Sequence, residues 1–194
     1  KDGVEQIGLG DQTESVMTVM FTDIRSFTEI SENMSPQENL DFINAYLNEI
    51  VPVIQAHGGF IDKYIGDSIM ALFPDSPESA LISALEFKDA IQHFNEAILS
   101  KKGMEPIRIG SGIHTGHLIL GTVGTAKRLD TTVISDAVNL SSRIEGLTKF
   151  YGVDCIFTDE SIMLVNDKKQ FHFRFLDYVI VKGRTNPISI YELL

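Results

Sequence analysis

The chain has 194 residues, 43% of them hydrophobic and 22% charged, which fits one globular domain with a sizeable core. Its net charge of −11 and the absence of a basic stripe exclude a nucleic-acid binder. No run reads as a membrane span or signal peptide, and a single cysteine, Cys155, excludes an internal disulfide and favours a reducing, cytoplasmic setting.

Residues 1–14 are polar, glycine-bearing and acidic, and read as a linker entering a catalytic domain over residues 15–194, with room for an upstream regulatory domain or membrane tether. Ser15 to Thr22 alternates as a strand that runs into Asp23, and Phe27 to Met34 reads as a helical turn. A long helix starts at Ser35, with Pro36 at its first position and Glu38 completing a capping box. Leu40, Ile43, Leu47, Ile50, Val51 and Ile54 form its apolar stripe, and Gly58-Gly59 stop it. Phe60 to Phe73 divides around Gly66-Asp67 into a hairpin. A second helix runs from Ser76-Pro77 to Lys102-Gly103.

Residues 107–113 alternate as one strand, and Leu118-Ile119-Leu120 begins another; Gly121 to Asp130 reads as a projecting hairpin arm. Val133-Ile134 is a short strand leading into a helix from Asp136 to Phe150. Further strands are expected at Cys155–Phe157, Phe173–Val181 and Ile188–Tyr191, with a helical turn near Ser161–Val165. The order predicts an α/β fold, an α+β sandwich with a ferredoxin-like βαββαβ palm core, additional C-terminal strands and the hairpin arm.

Asp23 and Asp67 each stand just beyond an apolar strand. Two carboxylates at the ends of neighbouring strands suit divalent cations, which prefer anionic oxygens and leave positions for phosphate. Asp67 beside Gly66 is also an ordinary turn pair, so spacing alone leaves both readings open. Charge is uneven: residues 1–100 carry seventeen acids and four bases, residues 101–194 twelve bases and ten acids. Asn139 and Arg143, four apart, share one face of their helix. His114 and His117 are poorly spaced for chelation, His57 caps a helix end, and Cys155 reads as an inert buried thiol. Gly121-Thr122-Val123-Gly124 lacks the lysine of a P-loop.

Four segments in order resemble the class III nucleotidyl cyclases over roughly residues 15–194. They are Phe21-Thr22-Asp23-Ile24-Arg25-Ser26-Phe27-Thr28, the run Gly59 to Ala71 around Lys63 and Gly66-Asp67, Val138-Asn139-Leu140-Ser141-Ser142-Arg143, and Val181-Lys182-Gly183. The resemblance implies an adenylyl or guanylyl cyclase in which Asp23, Asp67 and the Ile24 carbonyl hold two Mg²⁺ or Mn²⁺ ions per active site. It implies that Asn139 orients the ribose, that Arg143 stabilises charge on the α-phosphate, and that Lys182 grips the terminal phosphates.

Lys63 matches the family position that reads the purine. A lysine donates to adenine N1 but opposes the N1–H of guanine, and guanylyl cyclases resemble one another in having glutamate there, so ATP is the expected substrate. Its partner, seven residues before Asn139, is Thr132, where many adenylyl cyclases have aspartate. A hydroxyl still accepts from the adenine amino group, and threonine here resembles a bacterial-type subgroup with bicarbonate-responsive members. The residues divide into Asp23, Lys63, Asp67 and Lys182 on one hand and Thr132, Asn139 and Arg143 on the other. In the family these groups meet across a head-to-tail dimer, with the chain that supplies Lys182 left open. Both sets occur here, so a homodimer with two composite sites is expected. The alternatives are a silent cyclase-homology module that signals by dimerising, and a guanylyl cyclase.

Overall fold

The computed structural model describes the backbone of residues 12–125 and 128–194 and the side chains of residues 13–121 and 133–194. In chain order the elements are β1 (Gln12–Ile24), α1 (Phe27–Ser31), α2 (Pro36–Ala56), β2 (Phe60–Ile65), β3 (Ser68–Phe73), α3 (Pro77–Phe94), β4 (Ile109–Thr125), β5 (Arg128–Ile134), α4 (Asp136–Tyr151), β6 (Cys155–Thr158), α5 (Asp159–Met163), β7 (Phe173–Val179) and β8 (Ile188–Leu193). The strands form one sheet in the order β2-β3-β1-β4-β6-β8-β7, and β5 pairs with the far end of β4. The first four strands are antiparallel and lie in the order of a ferredoxin-like palm. The C-terminal strands extend that palm through the parallel pairing of β4 with β6.

Alternation along the strands gives the sheet two buried faces. Met20 of β1 and Ile69, Ala71 and Phe73 of β3 join Phe42, Tyr46, Ile50 and Ile54 of α2 and Phe87 and Phe94 of α3 in the larger core. On the opposite face Val19, Phe21, Met70 and Leu72 meet Ala137 of α4. Leu140 and Ile144 of α4 pack on Ile156, Ile188 and Ile190. The α2 start is as expected: the Ser35 hydroxyl accepts from the Glu38 N–H, and the Glu38 carboxylate accepts from the Ser35 N–H.

Several boundaries differ from expectation: β5 begins at Arg128 rather than Val133, and α1 ends at Ser31 rather than Met34. The glycine-rich stretch read as two strands is the single strand β4, paired with β1 without interruption from Gln12 opposite Gly121 to Ile24 opposite Ile109. Its glycines admit a helix rather than break the strand. A β-carbon at Gly112 would stand 2.3 Å from the Glu145 backbone nitrogen and 2.5 Å from the Ser141 carbonyl oxygen, so α4 rests directly on the β4 backbone. The Ser141 hydroxyl, bonding the Val19 and Gly112 carbonyl oxygens at 2.9 and 2.8 Å, fixes that contact. By the same pairing residues 12–14, read as the end of the linker, belong to β1, while residues 1–11 of that linker lie outside the described residues.

The second helix also departs from regular geometry. After Phe94 it widens into a π turn over Asn95–Leu99 and closes with a 3₁₀ turn over Ser100–Lys102. The Asn95 side chain there holds both backbone groups of Ile107, donating to its carbonyl at 3.0 Å and accepting from its N–H at 2.9 Å.

Candidate active site

Asp23 is the last residue but one of β1, and Asp67 ends the two-residue turn between β2 and β3. Because β1 and β3 pair with Thr22 opposite Ile69, the end of one strand and the turn of the hairpin meet. Gly66 takes φ +65°, the left-handed position the turn needs. The Ile24 N–H donates to Asp67 Oδ2 at 3.3 Å, and the Ser68 hydroxyl donates to Asp23 Oδ1 at 2.6 Å, so each carboxylate is oriented by the other segment.

The two aspartates line a cleft of about 260 Å³ with Ile24, Arg25, Phe27 and Thr28 on one side and Glu145, Gly146 and Lys149 of α4 on the other. Burial, then the hydrogen bond and charge of Asp23, push the Asp67 carboxyl up to about 7. Glu145 is likewise pushed up to about 7 by burial and by Asp23, against the pull of Arg25. Asp67 and Glu145, both beside Asp23, therefore resist ionisation. Hard divalent cations relieve such crowding, so the chemistry of the donor set fits the metal role expected of Asp23, Asp67 and the Ile24 carbonyl. No cluster of three or more His, Cys, Asp or Glu side chains suited to a metal occurs among the described residues.

Asn139 and Arg143 stand elsewhere. Both lie on α4, which Ser135 caps by accepting from the Ala137 N–H at 2.9 Å. Asn139 is exposed, and its amide reaches back to the Ser135 carbonyl at 3.5 Å. Arg143 faces the loop between β7 and β8: a β-carbon at Gly183 would lie 3.4 Å from Arg143 Nη1. Lys182, next to Gly183, therefore belongs with Asn139 and Arg143. The sequence grouping set it with the aspartates while leaving open the chain that supplies it, and this contact favours the Arg143 side.

Lys63 sits where β2 bulges between Ile61 and Lys63, and its ammonium is 3.2 Å from the nearly buried carboxylate of Asp62. Asp62 thus anchors the candidate base-reading lysine. Thr132 lies in β5 opposite Gly121, and its side chain lies outside the described residues.

Sequence reasoning missed three groups at the cleft. Glu145 and Lys149, the latter read as part of a solvated helical face, turn toward the aspartates on the side of α4 away from Asn139. Their i,i+4 spacing was the available signal. Arg25 donates a guanidinium N–H to the Val153 carbonyl and its backbone N–H to the Arg108 carbonyl at 2.9 Å. Arg108 in turn holds Asp154 at 2.6 Å.

A family model described as the adenylate and guanylate cyclase catalytic domain matches residues 10–194. An adenylate cyclase of Anabaena cylindrica is 44% identical over 98% of this chain and 39% of its own length, and adenylate cyclase 1 of Rhizobium meliloti is 35% identical over 92% and 27%. The chain thus spans well under half the length of these relatives. Among solved structures, the adenylyl cyclase CyaB from P. aeruginosa superposes with a TM-score of 0.80 at 29% identity, covering 95% of this chain and 96% of that one. The guanylyl cyclase Cya2 superposes at 0.79 and 28%, covering 96% and 94%. The chain belongs to the adenylate and guanylate cyclase catalytic domain family.

Proposed function

We propose that this domain is an adenylyl cyclase that converts ATP to 3′,5′-cyclic AMP and pyrophosphate in a composite site shared by two copies of the chain. The observation that carries the composite site is the partition of α4. Residues 139 and 143 are roughly 40° apart around the helix, whereas residue 145 is roughly 200° from residue 143. Arg143 and the loop of Lys182 therefore lie on one side of the helix, and the cleft of Asp23 and Asp67 on the other. One nucleotide cannot touch both sides of the same helix, but it can bridge two chains packed head to tail. Cyclase domains of known structure are dimeric and bind nucleotide, in keeping with this reading.

Cyclase domains generally use divalent metals. Asp23, Asp67 and the Ile24 carbonyl of one chain would hold the divalent ions, two Mg²⁺ or Mn²⁺ on this reading, and bound metal would supply the charge that lowers the pKa of the ribose 3′-OH and neutralises the triphosphate. Asn139 of the other chain orients the ribose so that the 3′ oxygen faces the α-phosphorus as the bond to pyrophosphate breaks. Arg143 offers its planar fork to the α-phosphate oxygens, and Lys182 meets the terminal phosphates. Arg25, which lines the metal cleft, adds cationic charge there. Lys63, held by Asp62, and Thr132 read the adenine edge. A lysine at this position favours adenine over guanine, which decides for ATP over GTP.

No helix among the described residues is long and apolar enough to cross a membrane. We place the domain in the cytoplasm, as a unit whose sensor or tether lies in other parts of a longer chain. The test is turnover of ATP and of GTP with Mn²⁺ and with Mg²⁺, with products resolved chromatographically. Cyclic AMP from ATP, lost in Asp67→Ala, supports the reading. No cyclic product at protein concentrations well above any dimer dissociation constant assigns the chain to silent signalling modules, and a preference for GTP assigns it to guanylyl cyclases.

A further inference from the structure

The loop between β7 and β8, residues 180–187, carries Lys182 and has few bonds of its own. Its turn is closed by the Arg184 N–H donating to the Val181 carbonyl at 3.0 Å, and Gly183 adopts φ +87°. Val181 holds the start of the loop by burial beside Leu140 and Ile144 of α4, and beyond Lys182 the polar tie to the rest of the domain is the Arg184 side chain. Nε and Nη2 both donate to Asp136 Oδ2, at 3.1 and 2.8 Å, and Nη1 is 3.6 Å from Glu160 Oε1. Asp136 is the first residue of α4, and Glu160 lies in α5. One guanidinium thus joins three segments: the Lys182 loop, the start of the helix that carries Asn139 and Arg143, and the short helix after β6.

The second anchor is Gly183, whose open α-carbon lies against the Arg143 guanidinium. The loop is held at Asp136 by one arginine and pressed on Arg143, two turns further along the same helix. Both contacts use α4 as the ruler, so the distance from Lys182 to Arg143 is set within one chain. The Arg184 side chain is 27% exposed, and Asp136 and Glu160 are more exposed still. Ion pairs this accessible contribute little to stability, so the arrangement is better explained by placement than by cohesion. The two carboxylates also neutralise Arg184 and keep its charge from repelling Lys182 and Arg143, which lie close by. A lysine at position 184 would supply the charge but not the planar fork that spans both carboxylates.

We propose that Arg184 is a positioning residue: by bridging Asp136 and Glu160 it fixes Lys182 relative to Arg143, so that these two cations meet the triphosphate as one unit. This rests on the cyclase reading of the site. The phosphate oxygens and the attacking hydroxyl must be aligned closely for displacement, and a loop free to wander by an ångström forfeits rate even with every charge present.

The test is a double-mutant cycle in the full chain, assayed as ATP turnover. Arg184→Ala should lower kcat/KM for ATP by roughly tenfold or more, with a raised KM, and Arg184→Lys should recover only part of the loss. Lys182→Ala should lower it too. The variant carrying both changes should be no worse than Lys182→Ala alone, because Arg184 then has nothing left to position. Multiplied losses in the double variant, or a wild-type KM in Arg184→Ala, would overturn the proposal. Amide hydrogen exchange gives a readout independent of turnover. Asp136→Asn should speed exchange at residues 182–186 and leave β1 and β4 protected, whereas unchanged exchange in the loop refutes the clamp. If the wild-type protein forms no cyclic nucleotide, the cyclase reading fails on that result, and the exchange experiment still decides whether Arg184 holds the loop.

Discussion

Arg143 and Glu145 are two residues apart in the chain and face opposite ways: Arg143 lies against Gly183 in the β7–β8 loop, and Glu145 lines the cleft of Asp23 and Asp67. One helix separates the side that carries Arg143 and the Lys182 loop from the cleft of Asp23 and Asp67. On the proposed reading each chain would hold both halves of a site but could not join its own.

Subunit mixing checks this. Asp67→Ala and Arg143→Ala should each be inactive alone, with Arg143→Ala losing on the order of 10²–10³ in turnover. Mixed in equal amounts and allowed to exchange, they should recover about a quarter of wild-type activity, since half the dimers are mixed and each mixed dimer holds one site free of both changes. Activity that stays at the level of the separate variants would show that each site is built within one chain.

Lys63 is the lever on base choice. Lys63→Glu should lower kcat/KM for ATP about 10²-fold and raise the ratio of GTP to ATP turnover, because a carboxylate accepts from the guanine N1–H and leaves adenine N1 unpaired. It also places a second negative charge beside Asp62, with the loss of the ion pair at 3.2 Å, so total activity should fall as well. Paired steady-state assays with the two nucleotides read both effects. An unchanged ratio would remove Lys63 from the base-reading role.

His114 sets part of the acid limit of stability. It is buried, its Nδ1 lies 2.8 Å from the Thr158 hydroxyl, and burial, aided by Arg184, pushes it down to about 4. The unfolded imidazole titrates near 6.5, so on acidification the unfolded chain takes up the proton first. Stability linked to this residue is full above about pH 6.5 and is lost as pH falls toward about 4, by about 3 kcal/mol at most. His114→Gln should flatten that slope in denaturant melts taken between those pH values. A variant with the wild-type slope would put the acid limit elsewhere.

Much of this was legible from the residues. Ser35, Pro36 and Glu38 mark the start of α2 because capping is local chemistry, and Gly66-Asp67 marks its turn for the same reason. Asp23 and Asp67 were identifiable as a pair because both follow apolar strands, which the fold then sets side by side. What stayed hidden depends on contacts between distant segments. The glycines at 110, 112 and 116 look like strand breaks until a helix is laid across them. Lys182 could be placed with Arg143 only once the β7–β8 loop was seen against α4. The cleft positions of Glu145 and Lys149 rest on neighbours that periodicity does not name.

Gly112 has a consequence of a genetic kind. A methyl group there meets the backbone of α4 rather than a side chain that can swing aside, so Gly112→Ala should destabilise the domain by about 3 kcal/mol or more, seen as a lowered melting temperature. Displacing α4 disturbs Glu145 on one face and Arg143 on the other in the same stroke. In a mixing experiment Asp67→Ala and Arg143→Ala fall into two complementation groups, each able to supply what the other lacks. Gly112→Ala belongs to neither, and a chain that carries it should remain unrescued by both partners.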